Sequence, residues 1–108
     1  MKAIISFTYD SCLVYIPDKL AGDDTALKSL SQQFDKWLYD KNNDHGLWIF
    51  EDGEKYAVSF DTNDFIDWIN QEHLRRSADK AQILEENYTG NHGKYPELYF
   101  FGIRTMRR

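Results

Sequence analysis

Seven carboxylates and a single lysine form a strongly acidic stretch between residues 44 and 67. The acids are Asp44, Glu51, Asp52, Glu54, Asp61, Asp64 and Asp67, and the base is Lys55. Two convergent carboxylates can act as general acid and base, but 18 acids in 108 residues make chance pairs frequent, and spacing selects none of them. Negative charge of this density repels phosphate and attracts a basic partner. The simpler alternative is a solvated face that keeps the protein in solution.

Aromatic side chains are interleaved with these acids. Rings among carboxylates are typical of surfaces that dock onto a basic protein, because ring burial provides affinity while charge speeds association and selects the partner. The sequence therefore predicts a partner-binding site over an acidic hairpin and the start of the helix that follows it. The predicted site residues are Trp48, Phe50, Glu51, Asp52, Glu54, Tyr56, Asp61, Asp64 and Asp67.

Metal chemistry is not indicated by the remaining candidate ligands. The histidines His45, His73 and His92 are isolated in sequence, and the one cysteine, Cys12, lies in an apolar run that predicts a packed thiol. Metal sites need convergent ligands, and neither Cys-x-x-Cys nor His-x-x-x-His spacing occurs. The acids around Thr62 lack the glycine and the closing glutamate of an EF-hand loop, and helix capping explains them better. We predict no metal and no cofactor.

Catalytic and nucleic-acid-binding motifs do not occur in the sequence. The six glycines are scattered and form no phosphate-binding loop, and there is no Gly-x-Ser-x-Gly. We therefore predict a protein that is not an enzyme. Nucleic-acid recognition requires a basic stripe, whereas the arginines form two small groups, at 75–76 and 104–108, on a chain of net charge −5. Direct nucleic-acid binding is not expected.

Length and composition predict one domain over residues 1–108, with a flexible basic end at 104–108. A chain that is 42% hydrophobic and 16% aromatic can bury a core without disulfides at this length. No apolar run approaches the roughly 18 residues of a membrane span, and the N-terminus lacks the apolar segment of a secretory signal. We therefore expect no membrane association and a cytoplasmic location.

The first half of the chain predicts a hairpin followed by a helix. Apolar side chains alternate over 3–9 and form a β-branched and aromatic run over 12–16, which predicts two strands joined by a short turn. Two aspartates at 23–24 offer a helix N-cap. Apolar residues at helical spacing then predict an amphipathic helix over 25–40, and these residues are Leu27, Leu30, Phe34, Trp37 and Leu38.

The second half of the chain begins with another hairpin. The Asp-Gly pair at 52–53 lies between apolar runs at 47–50 and 55–60, which is a strong hairpin signal. A two-residue turn at this pair sets Glu51 opposite Glu54. Like charges in that position cost stability, which indicates either a turn shaped for contact or a longer loop that relieves the repulsion.

Helical and apolar segments complete the chain. A second helix is predicted to begin at Asp61 and to end near Arg76, whose charge suits a helix C-terminus. Residues 78–86 follow as a further helical segment or as a continuation of the same helix. Residues 97–106 are almost continuously apolar, which predicts a strand covered on both faces and hence central in the sheet.

The predicted order is ββα-ββα(α)-β, which is an α+β fold. The simplest architecture is a single, mostly antiparallel sheet of about five strands with two to three helices packed on one face. The other face of that sheet is then exposed or paired with a second copy of the chain, so a homodimer is possible.

Together these features predict a small, acidic, non-enzymatic protein-binding module. Inhibitors such as immunity proteins, antitoxins and anti-defence proteins have this format, since an acidic domain can cover the basic surface of a nucleic-acid-handling partner. No motif assigns the chain to any of those families. Two alternatives stay open, namely a self-associating structural or accessory subunit, and a small enzyme or ligand-binding domain with a cleft between sheet and helices.

Overall fold

The computed structural model describes residues 1–8 and 10–100 in full and residues 103–105 by their backbone. Within these ranges the chain has the predicted α+β class. The elements in chain order are β1 (Lys2–Ser6), β2 (Ser11–Tyr15), α1 (Asp24–Leu38), β3 (Trp48–Glu51), β4 (Glu54–Ser59), α2 (Thr62–Glu72), β5 (Gln82–Glu85), a 3-10 turn (His92–Lys94), β6 (Glu97–Tyr99) and β7 (Ile103–Thr105).

The described strands form two sheets, so the prediction of a single sheet is wrong. The first sheet has the order β5-β2-β1-β6 and is mixed, because β1 is antiparallel to β2 but parallel to β6. The second sheet has the order β3-β4-β7 and is antiparallel. Two sheets arise because the last apolar run is divided between them: residues 97–99 pair with β1, whereas residues 103–105 pair with β4.

The same division overturns the prediction of one central strand over 97–106. β6 is an outer strand of its sheet, with Leu98 buried and Tyr99 62% exposed. Residues 104 and 105 belong to β7, while Phe101 and the last three residues of the predicted flexible end, 106–108, lie outside the described residues. Tyr9, at the end of the first predicted strand, also lies outside them.

Residues 78–86 contain a strand where the sequence predicts a helical segment. β5 pairs antiparallel with β2, and Ile83 lies opposite Val14. Ala81 and Ile83, two positions apart, both pack against the core, whereas Leu84 is 42% exposed. Apolar residues at these positions fit a period of two as well as a helical period. The free edge of β2 favours the strand, because pairing satisfies its backbone groups.

Both helices begin close to the predicted positions, because a local hydrogen bond defines each N-terminus. The Asp23 carboxylate accepts a hydrogen bond from the Ala26 N–H at 2.8 Å. Asp61 and Asp64 form a reciprocal capping box at the start of α2. α2 ends at Glu72, a turn earlier than predicted.

One aromatic cluster joins the helices to both sheets. Phe34 of α1 is fully buried, and its ring centroid lies 5.1–6.1 Å from those of Phe60, Phe65, Trp68 and Phe100. Phe60 follows β4, Phe65 and Trp68 belong to α2, and Phe100 follows β6. These ring contacts hold the β3–β4 hairpin against the rest of the molecule.

Candidate partner-binding site

The turn of the β3–β4 hairpin is the two-residue turn that the Asp-Gly pair predicts. Asp52 has φ 52° and Gly53 has φ 77°, and positive φ at both central residues is what a type I′ turn requires. Glu51 lies opposite Glu54, as predicted. All four of these residues are exposed, so a tightly defined turn presents three carboxylates to solvent.

Two exposed rings flank this turn. Phe50 is 60% exposed and Tyr56 is 43% exposed. A β-bulge explains the exposure of Tyr56, because Phe50 pairs with Lys55 and Ile49 pairs with Ala57, which leaves Tyr56 as the extra residue. We call the group formed by Phe50, Glu51, Asp52, Gly53, Glu54 and Tyr56 the hairpin tip.

The one lysine of the acidic stretch does not neutralise the hairpin tip. The Lys55 ammonium lies 2.5 Å from the Asp44 carboxylate and 5.3 Å from the centre of the Trp48 ring, and it also donates to the Lys41 carbonyl. The hydrogen bond and charge of Lys55 lower the pKa of Asp44. Among the described residues, Glu51 has no ion-pair partner.

Trp48 supports the hairpin from inside and does not present its ring to solvent. It is buried, and its indole Nε1–H donates to the Asn43 carbonyl at 2.6 Å. Its ring stacks on His45 at 4.9 Å, and His45 stacks on Trp37 at 4.7 Å. Of the predicted aromatic site residues, Trp48 therefore packs inside the protein, whereas Phe50 and Tyr56 are exposed to solvent.

His45 holds this region together, which the sequence did not predict. Its neighbours in the sequence do not indicate the contacts that it makes. Its Nδ1 accepts from the Leu47 N–H at 3.2 Å, so Nε2 carries the proton and donates to the Leu38 carbonyl at 2.8 Å. These two bonds fix the imidazole between the rings of Trp37 and Trp48 and tie α1 to the start of β3.

Asp61, Asp64 and Asp67 are not brought together with the hairpin tip. They lie at the opposite end of β4, whose six residues span roughly 20 Å. Asp61 and Asp64 exchange capping hydrogen bonds of 3.2 and 2.9 Å. Burial raises the pKa of Asp64, and the charges of Asp61 and Asp67 raise it further. The predicted site is therefore two separate acidic surfaces.

The second surface opens into a groove of about 510 Å³ between α2 and the loop that precedes β3. We call it the acidic groove; it is lined by the carboxylates of Asp44, Asp64, Asp67 and Glu72 and by the rings of Trp37, His45 and Trp68. The sequence did not predict this groove. The available signal was the helical spacing of the residues at 64, 67, 68 and 72, which sets two acids, an aromatic ring and a third acid along one side of α2.

A polar hollow of about 440 Å³ lies on the other sheet, beside β1 and β6. His92 Nδ1 is 2.8 Å from a Glu97 carboxylate oxygen, and the Ser6 and Ser11 hydroxyls are 2.8 Å apart. Within the described chain, Ser6 bonds to Ser11 and not to His92, so no serine–histidine pair is formed. Among the residues that the structure describes, neither of these two hydroxyls is paired with a base that would activate it as a nucleophile.

Three further features of the described residues concern metal binding, the cysteine thiol and the two helices. No group of three His, Cys, Asp or Glu side chains is placed there to hold a metal ion. Burial raises the pKa of the Cys12 thiol, which agrees with the packed thiol that the sequence predicts. Neither described helix has the length and apolar character that crossing a membrane requires.

Comparison with known proteins does not assign the chain to a family. No protein-family model, no curated protein and no solved structure matches the chain.

Proposed function

We propose that the protein is a non-enzymatic binding module that docks onto a basic surface of a partner protein through the hairpin tip. The observation that carries this proposal is the position of Phe50, 60% exposed, next to Glu51 and Asp52 on a turn with defined geometry. An exposed ring in a monomer is a surface available for burial. The carboxylates around it make a basic partner the complementary one.

The two kinds of side chain at the hairpin tip have different effects on binding. Burying a Phe side chain contributes about 1.5–3 kcal/mol, so Phe50 and Tyr56 provide affinity. The carboxylates raise the association rate and reject acidic surfaces. Because a nucleic-acid-handling protein has a basic surface that phosphates normally occupy, an inhibitor of such a protein, of the immunity or anti-defence kind, is the function we favour.

The acidic groove, which includes Asp67, is a second negative surface. Roughly 20 Å separates the hairpin tip from the start of α2, which is more than the screening length of about 8 Å at physiological salt. The two surfaces therefore act as separate contact points. A standard interface covers about 800 Å² on each partner and is wide enough to reach both.

Affinity capture from lysate at low and at high salt tests this proposal. Glu51→Lys/Glu54→Lys replaces one like-charged cross-strand pair by another and keeps Asp52, which suits positive φ, so the fold is expected to persist. Glu85→Lys/Glu86→Lys makes the same change in net charge on two exposed residues, the last residue of β5 and the residue after it. We expect the hairpin-tip variant to lose the partner by at least about tenfold, and the control variant to retain it. Equal capture by both variants would contradict the proposal.

Self-association is a second candidate function, favoured by exposed apolar side chains on outer strands. Tyr99 lies on β6 and Leu84 on β5, and both are exposed at the edges of the first sheet. Salt concentration distinguishes the two candidates. Docking onto a basic partner weakens as salt rises, whereas self-association strengthens, because salt screens the repulsion between two copies of net charge −5. A monomeric mass at high protein concentration and high salt, measured by sedimentation equilibrium, would remove this candidate.

A further inference from the structure

The acidic groove combines negative charge with aromatic rings. Asp44 is paired with Lys55, but Asp64, Asp67 and Glu72 have no basic partner among the residues that the structure describes. A concave site concentrates the field of such charges. The groove therefore attracts a cation and repels a phosphate or a carboxylate.

The rings in the groove favour a cation that also has apolar or planar surface. Trp37 is half-buried, and its ring centroid lies 6.5 Å from that of Trp68 with 49° between the ring planes. His45 and Phe34 stack on Trp37, so the indoles offer a bound group the remaining exposed part of their apolar surface. A hydrated metal ion makes no use of such rings, whereas an organic cation does.

Trp68 supplies a second, independent sign that the groove is built for a ligand. The residue is 5% exposed and lines the groove, and its buried indole Nε1–H has no hydrogen-bond acceptor within the described chain. Buried donors are nearly always paired in folded proteins. An acceptor close to the cation, such as the carbonyl oxygen of a bound peptide, would pair with it.

We propose that the acidic groove binds the guanidinium group of an arginine side chain that the basic partner presents, an inference that rests on the proposed function. Arginine fits better than lysine, because its planar, weakly hydrated group donates hydrogen bonds in several directions to carboxylates and lies against apolar ring surface. Asp67 and Glu72, which make no capping bond, are the acceptors for these hydrogen bonds. The peptide carbonyl beside the arginine accepts from Trp68.

The test is an NMR titration of the full chain with N-acetyl-arginine amide, followed at the indole N–H signals of the tryptophans. N-acetyl-citrulline amide has the same shape without the charge and is the matched ligand control. Asp67→Asn/Glu72→Gln removes two charges from the acidic groove, and Glu51→Gln/Glu54→Gln removes two from the hairpin tip.

We expect saturable shifts of the Trp37 and Trp68 indole signals with the arginine compound. Binding is expected to weaken about tenfold for the citrulline compound, and about fivefold or more for the groove variant, because each change removes charge-assisted hydrogen bonds. The hairpin-tip variant is expected to bind like the wild type. Equal binding of the two compounds, or undiminished binding by the groove variant, would overturn the proposal.

The two proposals fail in different ways. Capture of a basic partner through the hairpin tip, by a chain that binds no arginine compound, overturns the groove proposal alone. If the arginine compound binds saturably in the groove but partner capture does not depend on the hairpin-tip charges, the hairpin tip is not the docking site. The groove proposal then still stands.

Discussion

Asp64 has a local role in the fold and a place in the acidic groove, and these two roles affect its charge in opposite directions. Its carboxylate accepts the Asp61 N–H at 2.9 Å, which favours the ionised form. Burial and the neighbouring carboxylates of Asp61 and Asp67 favour the neutral form, and together they outweigh the hydrogen bond, so the pKa is raised.

We predict that Asp64 titrates above the ordinary aspartate pKa of 3.8. Because the folded pKa is above the unfolded one, the native state holds the proton longer, and the stability contribution of Asp64 falls as pH rises through the folded pKa. Asp67→Asn is expected to lower the pKa of Asp64, since it removes one neighbouring charge. Carbon-detected NMR of the carboxyl groups measures both values, and a midpoint at or below 3.8 would refute the prediction.

At the scale of single residues, the side chains around the Asp-Gly turn lie where the sequence predicts, whereas the contacts of the rings beneath the turn were not predicted. Phe50 and the three turn acids are exposed. Trp48 is buried under the hairpin and His45 is stacked between two tryptophans. Ring stacking of this kind joins residues from α1, a loop and β3, so sequence spacing does not reveal it.

At the scale of elements, the N-cap of α2 gives the clearest prediction. Asp61→Ala removes the acceptor for the Asp64 N–H and is expected to lower the free energy of unfolding by about 1 kcal/mol. Asp67→Ala, which removes an acid from the same helix without touching the cap, is expected to cost less than about 0.5 kcal/mol. Urea denaturation of the two variants measures the difference, and equal losses would mean that the cap contributes nothing specific.

Elements defined by local chemistry were predictable, and those defined by distant pairing were not. The Asp-Gly turn and the two helix caps each lie within a few residues of the element they define, and all three are confirmed. Residues 78–86 have no such signal. Their strand exists because β2 offers an edge, and β2 is about 70 residues earlier in the chain.

At the scale of the whole molecule, the division of the strands between two sheets decides where the acidic surfaces lie. β6 pairs in parallel with β1, although nearly the whole chain separates them, and β7 pairs with β4. Local patterns contain no information on such pairings. In the second sheet, the hairpin tip lies at the start of β4, and α2, which lines the acidic groove, follows the end of β4.

The rates at which the purified partner associates and dissociates test the central claim most directly. In the proposed complex, the carboxylates of the hairpin tip act on association, whereas its aromatic rings act on dissociation. We predict that Glu51→Lys/Glu54→Lys slows association by about tenfold at low salt and that the difference shrinks as salt rises. Phe50→Ala is expected to leave association nearly unchanged and to speed dissociation, because the ring is buried only in the complex. Association and dissociation rates that match the wild type in both variants would contradict docking through the hairpin tip.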